Sequence, residues 1–400
     1  MSVGPLPQGA DAGKHLDFLD ALRGVAILLV FLHHALGEAF GINNLRWNGW
    51  IRDVQLPPSF LFVSPLVLGS VGVALFFAIS GFCIHLSWCR SGNQGLGGFY
   101  LRRFFRIYPP YLLALLIFSF LWPIHRLHLG DVAGMAQLLS HLFLVHNLNE
   151  ETFWGINGSF WSIAVEWQLY LIYPVLVLMT RRIGWNKSLL LIAALELGCR
   201  IAVGLHDTWI PDQPVSRLLT GSPFYFWFSW AAGAAVAEDY LAGRTPFLIG
   251  IPTWLFPTLI VAAYLFRPLS TLVFPLAALA GARFIAGFCA KAPSIMLPHA
   301  PVSRFLGALG VISYSFYLLH QPMLELMERF LFETHVSALL KSWPLLHFGF
   351  LLTCVVPTAL CSFLFWKMAE QPSIAFGKYF RRRITMPRVQ GNSGDNHGLT

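Results

Sequence analysis

Ten apolar runs of roughly membrane-spanning length, separated by polar joints, organise the chain: residues 17–40, 66–88, 108–124, 160–180, 188–205, 222–240, 246–266, 269–290, 305–331 and 343–366. About 20 apolar residues cross a bilayer core as a helix, so the pattern predicts an all-α polytopic membrane protein with ten transmembrane helices. The first run, DFLDALRGVAILLVFLHHALGEAF, breaks its own pattern with Asp20, Arg23, His33, His34 and Glu38. At about 100° per residue, the path from Arg23 to His34 returns the helix to within about 20° of one face, about 16 Å further along. Asp20 and Glu38 fall within about 60° of that face, whereas His33 points about 100° away. Charged groups are expensive in hydrocarbon, so this polar stripe is expected to face a bundle interior.

The joints carry further expectations. In the second run, Gly72, Ala74, Ala78, Ser80 and Gly81 are small enough for close helix contact. The third is expected to start at Pro109–Pro110. Residues 41–65, with Trp47, Trp50, Pro57 and Pro58, read as a connection lying at the membrane interface. Residues 125–159 are the least apolar internal stretch. Their histidines, His125, His128, His141 and His146, lack paired ligand spacing and are expected on a solvated surface, not at a metal.

Composition narrows the class. Hydrophobic residues make up 56% of the chain and charged ones 12%, with a mean hydropathy of +0.62, whereas soluble proteins carry about 25% charged residues. The net charge of +8 is explained by topology and implies no nucleic-acid partner. With the N-terminus in the cytoplasm, 19 of the 27 Lys and Arg residues fall on that side, so both termini are expected there. Met1–Gly13 lacks a basic leader segment, and the first helix is expected to remain as a signal anchor. The expected division is a cytoplasmic tail over 1–15, a transmembrane domain over 16–376, and a basic, then disordered, cytoplasmic tail over 377–400 in which Arg381–Arg383 contacts lipid.

Cys83, Cys89, Cys199, Cys289, Cys354 and Cys361 show no C-x-x-C spacing and no partnered histidine; they read as small membrane hydrophobes, and no metal is expected. Neither an internal repeat nor a matched pair of broken helices is visible, which weighs against a secondary transporter.

Five motifs, in order, resemble the acyltransferase-3 family of integral membrane acyltransferases, which decorate bacterial surface sugars and other extracytoplasmic acceptors. LDALRGVAILLVFLHH is similar to that family's first-helix signature, an Arg and a His separated by ten residues, met by Arg23 and His34. GVALFFAISGF resembles its second helix, and LRRFFRIYPPY its R-x-x-R followed by an aromatic and Pro, met by Arg103 and Arg106. SFWSIAVEWQLYLIYP resembles its Trp-Ser and Glu element, carried by Trp161, Ser162 and Glu166. ISYSFYLLHQP resembles its late element, carried by Ser313, Tyr314, Tyr317, His320 and Pro322, and AEQP at Glu370 is also of family type. The resemblance implies a bacterial inner-membrane enzyme moving an acyl group, acetyl most commonly, from acyl-CoA to a hydroxyl of a glycan or lipid-linked sugar in lipopolysaccharide or exopolysaccharide. Acetyl-CoA or another acyl-CoA is then a co-substrate, membrane lipids are neighbours, and no cofactor is tightly bound.

Acyl transfer to a hydroxyl needs a base, oxyanion donors and a clamp for the donor's phosphates. Imidazole suits the base because it titrates near neutrality. His34 is the candidate, as base or as transient acyl carrier, against the alternative of a buried histidine satisfied by a carbonyl. Arg103 and Arg106, with Arg102 beside them, suit phosphate, and equally suit lipid headgroups. Arg23 is expected to pair with Asp20 or a ligand. Glu166 is a candidate acid partner for His34, or a structural acceptor. Trp161, Ser162, Tyr314, Tyr317 and His320 are expected to line the same cavity, with a packed aromatic seam as the competing reading. A small-molecule acceptor such as a macrolide is the alternative acyl transfer. A proton or solute transporter is the non-enzymatic one.

Overall fold

The computed structural model describes residues 17–41, 67, 69–90, 95–124, 127–210, 212–290, 301–332 and 342–385. The expectations for the N-terminal tail, for Trp47, Trp50, Pro57 and Pro58, for His125 and for the tail from Met386 lie outside these residues. Among the described residues there is no strand. The principal helices are α1 Asp17–Phe40, α2 Gly69–Arg90, α3 Gly95–Leu116, α4 Val132–Leu142, α5 Phe160–Ile183, α6 Trp185–Trp209, α7 Trp227–Leu241, α8 Leu255–Leu265, α9 Val273–Ala290, α10 Pro301–Val311, α11 Ser313–Phe332, α12 Pro344–Thr353, α13 Val355–Phe365 and α14 Gln371–Thr385.

Among the described residues, seven helical stretches are long and apolar enough to cross a membrane, and eight if α10 and α11, bent by 82°, form one broken span. All ten expected runs contain helix, but the count of ten spans is not reached by length. The runs near 222–240 and 246–266 contain α7 with 15 residues and α8 with 11. At about 1.5 Å per residue both fall short of a hydrocarbon core about 30 Å thick. The expected domain boundary at 376 falls inside α14, which packs on α3.

The start of the third helix is also corrected. Pro109 and Pro110 lie inside α3, which begins at Gly95. Pro109 has no N–H for the Phe105 carbonyl four residues back. The Ser373 hydroxyl of α14 donates to that carbonyl instead, and Tyr314 of α11 donates to the Ile107 carbonyl at 2.8 Å.

α2 is apolar on every side because it is surrounded, with α1, α7 and α9 packed on it. Of its most hydrophobic window, 78% is buried, the highest share among the seven spans. The small-residue face expected in α2 meets α7 through two facing glycines. A Cβ on Gly81 would run into the Trp230 carbonyl, and one on Gly233 into the Ala78 carbonyl. The α1–α10 crossing is built the same way, by Gly24 against Leu306 and Gly310 against Asp20.

One polar element is an internal post. Arg200 is fully buried, donates to Glu196 at 2.9 Å and to the carbonyls of Thr271 and Tyr225 at 3.0 and 2.7 Å, and faces the Tyr225 ring at 4.1 Å. Ser229 adds two donors to Glu196, its N–H at 2.9 Å and its hydroxyl at 2.5 Å, so both members of the pair are hydrogen-bonded beyond each other, as a buried ion pair requires.

The segment 127–159 departs from its expected solvation. Asp131 caps α4, accepting from Gly134 N at 2.6 Å, and the segment folds back on α3 and α5. His141 and His146 are fully buried with rings stacked 3.8 Å apart. Burial pushes His141 down to about 4 and, with the His141 charge, drives His146 lower than its ordinary value.

Two outcomes follow from this packing. Gly233→Val forces α2 and α7 apart and is expected to cost about 1–3 kcal/mol, read as a lower thermal unfolding midpoint in detergent; Gly250→Ala, with open space around it, leaves the midpoint unchanged. The histidine pair is neutral in the fold and protonates more readily when unfolded, so its stabilisation is complete above the ordinary histidine range and is lost as pH falls from about 6.5 toward about 4. Unfolding midpoints measured across that window should fall, and His146→Phe should flatten the slope.

Candidate active site

Two cavities share no lining residue. The first, about 380 Å³, is basic: Arg23 of α1, Arg90 of α2 and Arg103 and Arg106 of α3 line it together with Glu166 and Tyr314. The second, about 640 Å³, holds His33 and His34 of α1, with Trp161 and Gln321. The α1 stripe faces the bundle interior as expected, but its Arg and His ends open into different cavities, so the polar face does not run through one continuous volume.

The interruption has a defined composition. Ser162 Oγ and Tyr317 Oη are 2.7 Å apart, and both line the basic cavity. Phe77, on the basic side, packs edge-on against Phe226 and Phe274 of the other cavity, each at 5.5 Å. His320 lies between, its ring 5.3 Å from Tyr317 and 5.1 Å from His34.

In the basic cavity Arg23 donates to Asp20 at 2.6 Å and reaches Cys83 Sγ at 3.1 Å, as the spacing of Asp20 and Arg23 suggested. Arg103 donates to Ser87 at 2.8 Å. Arg102 does not line this cavity. Glu166 accepts from Tyr170 at 2.5 Å. Tyr170 spends its proton there, so Ser80, at 3.1 Å, donates to Tyr170, and Trp230 donates to Ser80 at 3.2 Å. This one-directional chain crosses α7, α2 and α5 and ends on the Glu166 carboxylate. Glu166 therefore sits with Arg23 and Arg103, and the side chain against His34 is His320.

His320 is held by backbone. Its Nδ1 lies 2.8 Å from the Tyr317 carbonyl, which can only accept, so Nδ1 carries the proton and Nε2 presents a lone pair. Ser159 Oγ lies 3.4 Å from that Nε2 and donates to Gln321 at 2.7 Å. Asn157 joins the two helices: its amide donates to the Leu318 carbonyl at 2.9 Å, and its oxygen accepts from Ser159 N at 2.9 Å. Leu318 needs that donor because Pro322, four residues on, has no N–H. His33 packs its ring where any Cβ at residue 69 would stand, so Gly69 makes room for it.

Asn157, Ser159 and Gln321 escaped the sequence reading; the signal for Asn157 was Pro322 inside an apolar run. The cysteine reading also needs correcting. His85 and Cys89 are one turn apart, with Nε2 to Sγ at 3.6 Å.

Comparison with known proteins bears on this arrangement. The family model described as an acyltransferase domain matches residues 16–362. The chain is 26% identical over 222 residues to the peptidoglycan O-acetyltransferase OatA of Listeria monocytogenes, covering 52% of this chain and 32% of that protein. It is 27% identical over 322 residues to the acyltransferase MdmB of Streptomyces mycarofaciens, covering 76% and 78%. Nodulation protein 10 of Rhizobium leguminosarum is 26% identical over 238 residues, covering 54% and 57%. The chain thus spans about a third of the length of OatA. No solved structure matches it significantly.

The Asp20–Arg23 pair is mostly buried, with side-chain exposures of 10% and 19%. Asp20→Ala strips the guanidinium of its carboxylate and is expected to destabilise the protein by about 2–4 kcal/mol. Asp20→Ala combined with Arg23→Met should recover much of that loss in thermal unfolding, because neither member of the pair is then left charged without the other.

Proposed function

The chain belongs to the acyltransferase domain family, and from that premise we propose that it is a membrane O-acyltransferase moving an acyl group, acetyl in the first instance, from cytoplasmic acyl-CoA to a hydroxyl of an extracytoplasmic glycan. The observation that carries the reading is the pair of abutting cavities, one basic and one containing histidine, at the two ends of a single polar stripe. Likeness to a peptidoglycan O-acetyltransferase supports a glycan acceptor. The positive-inside bias supports cytoplasmic termini, with the basic cavity facing the cytoplasm and the histidine cavity facing out.

In this reading Arg103 and Arg106 hold the phosphates of CoA through their planar forks. Arg23, restrained by Asp20, stands deeper in the same cavity. The acceptor enters the histidine cavity, where aromatic walls at Trp161 and Phe153 suit the apolar face of a sugar ring. His34 takes the acceptor's hydroxyl proton, and the alkoxide oxygen attacks the thioester carbonyl. The C–S bond breaks, the ester C–O bond forms, and the proton returns to the departing thiolate. His320, whose ring lies 5.1 Å from that of His34 and whose Nδ1 is bonded to the Tyr317 carbonyl, orients the base in this reading. The thioester reaches His34 only when the Tyr317–Ser162 contact opens.

Surface glycans analysed by mass spectrometry from wild type and a His34→Ala strain test this directly. Acylation is expected to fall by about 10²–10⁴-fold with the protein still expressed, and an unchanged pattern overturns the reading. With purified protein, Arg106→Ala is expected to raise the KM for acyl-CoA and leave kcat little changed, as loss of uniform binding does.

A further inference from the structure

Outside both cavities, where α2 ends against α7, three ligand-type side chains converge. His85 Nε2 lies 2.9 Å from Glu238 Oε2 and 3.6 Å from Cys89 Sγ, and the three ligand atoms lie within 4.8 Å of one another. We propose that His85, Cys89 and Glu238 form a binding site for a transition-metal ion of the zinc class.

The spacing suits that chemistry. His85 and Cys89 are four residues apart, so one face of α2 presents both. In a tetrahedral zinc site, bond lengths of about 2.0–2.3 Å set nitrogen–sulfur and nitrogen–oxygen edges of about 3.6 and 3.4 Å. The first edge is already met; the second needs Glu238 to withdraw from His85 by about half an ångström, and the sulfur–oxygen edge, within 4.8 Å here, needs the same carboxylate to swing toward Cys89 to about 3.6 Å, movements open to a half-buried carboxylate on a flexible stem. The fourth position is left to water or another ligand.

The surroundings prepare the imidazole. His85 Nδ1 lies 2.9 Å from the Tyr173 hydroxyl, and the Trp185 ring meets His85 edge-on at 5.1 Å. Without the ion, Nε2–H donates to Glu238 and Nδ1 accepts from the Tyr173 hydroxyl; on metal binding the imidazole proton moves to Nδ1, which then donates to Tyr173 and leaves the Nε2 lone pair for the ion, the arrangement found behind metal-bound histidines. Two arginines face the same end. Arg244 is matched by Asp239 at 2.9 Å and stands 4.0 Å from Glu238 Oε1, and Arg181 adds a second positive charge. A divalent ion between a thiolate and a carboxylate leaves the loaded site neutral beside them, one positive charge above the site with a Cys89 thiol and a Glu238 carboxylate. Binding forms bonds from the metal to nitrogen, sulfur and oxygen, and releases the Cys89 thiol proton to solvent.

Such an ion would clamp the end of α2 to α7. On the neighbouring face of the same helix, Cys83 and Ser87 hold Arg23 and Arg103 in the basic cavity. The site depends on none of the proposed acyl transfer.

Cobalt(II) added to the purified protein in detergent is the test. The expected result is a thiolate-to-cobalt charge-transfer band with the visible bands of four-coordination, at one equivalent, discharged by zinc. Cys89→Ser is expected to abolish the charge-transfer band, and Cys361→Ser, at an exposed cysteine, to retain it. Tyr173→Phe is expected to weaken zinc binding by about 10–100-fold, and Glu238→Gln to weaken it by at least tenfold. Zinc should also raise the thermal unfolding midpoint of the wild type and not of Cys89→Ser. Absence of the band in the wild type, or its persistence in Cys89→Ser, overturns the proposal.

Discussion

A bilayer core offers no water to a freed backbone carbonyl, and at three of the helix prolines, Pro109, Pro275 and Pro322, the chain itself supplies the donor that the proline removes. Each loss is met from another part of the chain. Ser373 serves Phe105 before Pro109, Asn157 serves Leu318 before Pro322, and Arg200 serves Thr271 before Pro275. Each of these bonds ties a helix to a partner far away in sequence, and two of them end beside a cavity. Pro322 lies within the turn that carries His320 and Gln321, so the side chain that repairs its carbonyl also fixes the imidazole facing His34.

The same constraint explains why the polar residues are organised in chains. Trp230, Ser80, Tyr170 and Glu166 pass hydrogen bonds in one direction from the centre of the bundle to the wall of the basic cavity. Arg200 is a different case, a buried cation that lines the histidine cavity yet bonds protein oxygen through each of its three nitrogens, whereas Arg103, bonded to Ser87, and Arg106 line the basic cavity.

Local periodicity made α1, its stripe and the Asp20–Arg23 pair legible, because a helix face is set by spacing alone. The small face of α2 was legible for the same reason, and Gly81 opposite Gly233 bears it out. Pro109 misled because proline within a helix is penalised locally, and nothing near it in sequence announces Ser373. Glu166 reads from sequence as a partner for His34 or as a structural acceptor, since both are rare polar groups in apolar helices; spacing within one helix says nothing about which cavity each enters, and Glu166 accepts from Tyr170 in the basic one. His141 and His146 looked solvated because their neighbours are polar, yet the Asp131 cap folds the segment so that the two rings bury each other. The His85–Cys89 spacing was visible on α2, but Glu238, which makes it chemically suggestive, is supplied by α7.

A single helix face reads as a continuous path, and Tyr317 is the residue that shows why this one is not. Its hydroxyl closes against Ser162, while its carbonyl holds His320 Nδ1. The two bonds come from different parts of the residue. A rotation about χ1 breaks the first and leaves the second in place, so under the proposed transfer the cavities can join without disturbing the imidazole opposite His34. A shift of α11 as a whole would move both, and would also pull Leu318 from Asn157. The lower-cost opening is therefore a side-chain rotation within a fixed backbone, and the proline-repairing bond of Asn157 is what keeps that backbone fixed.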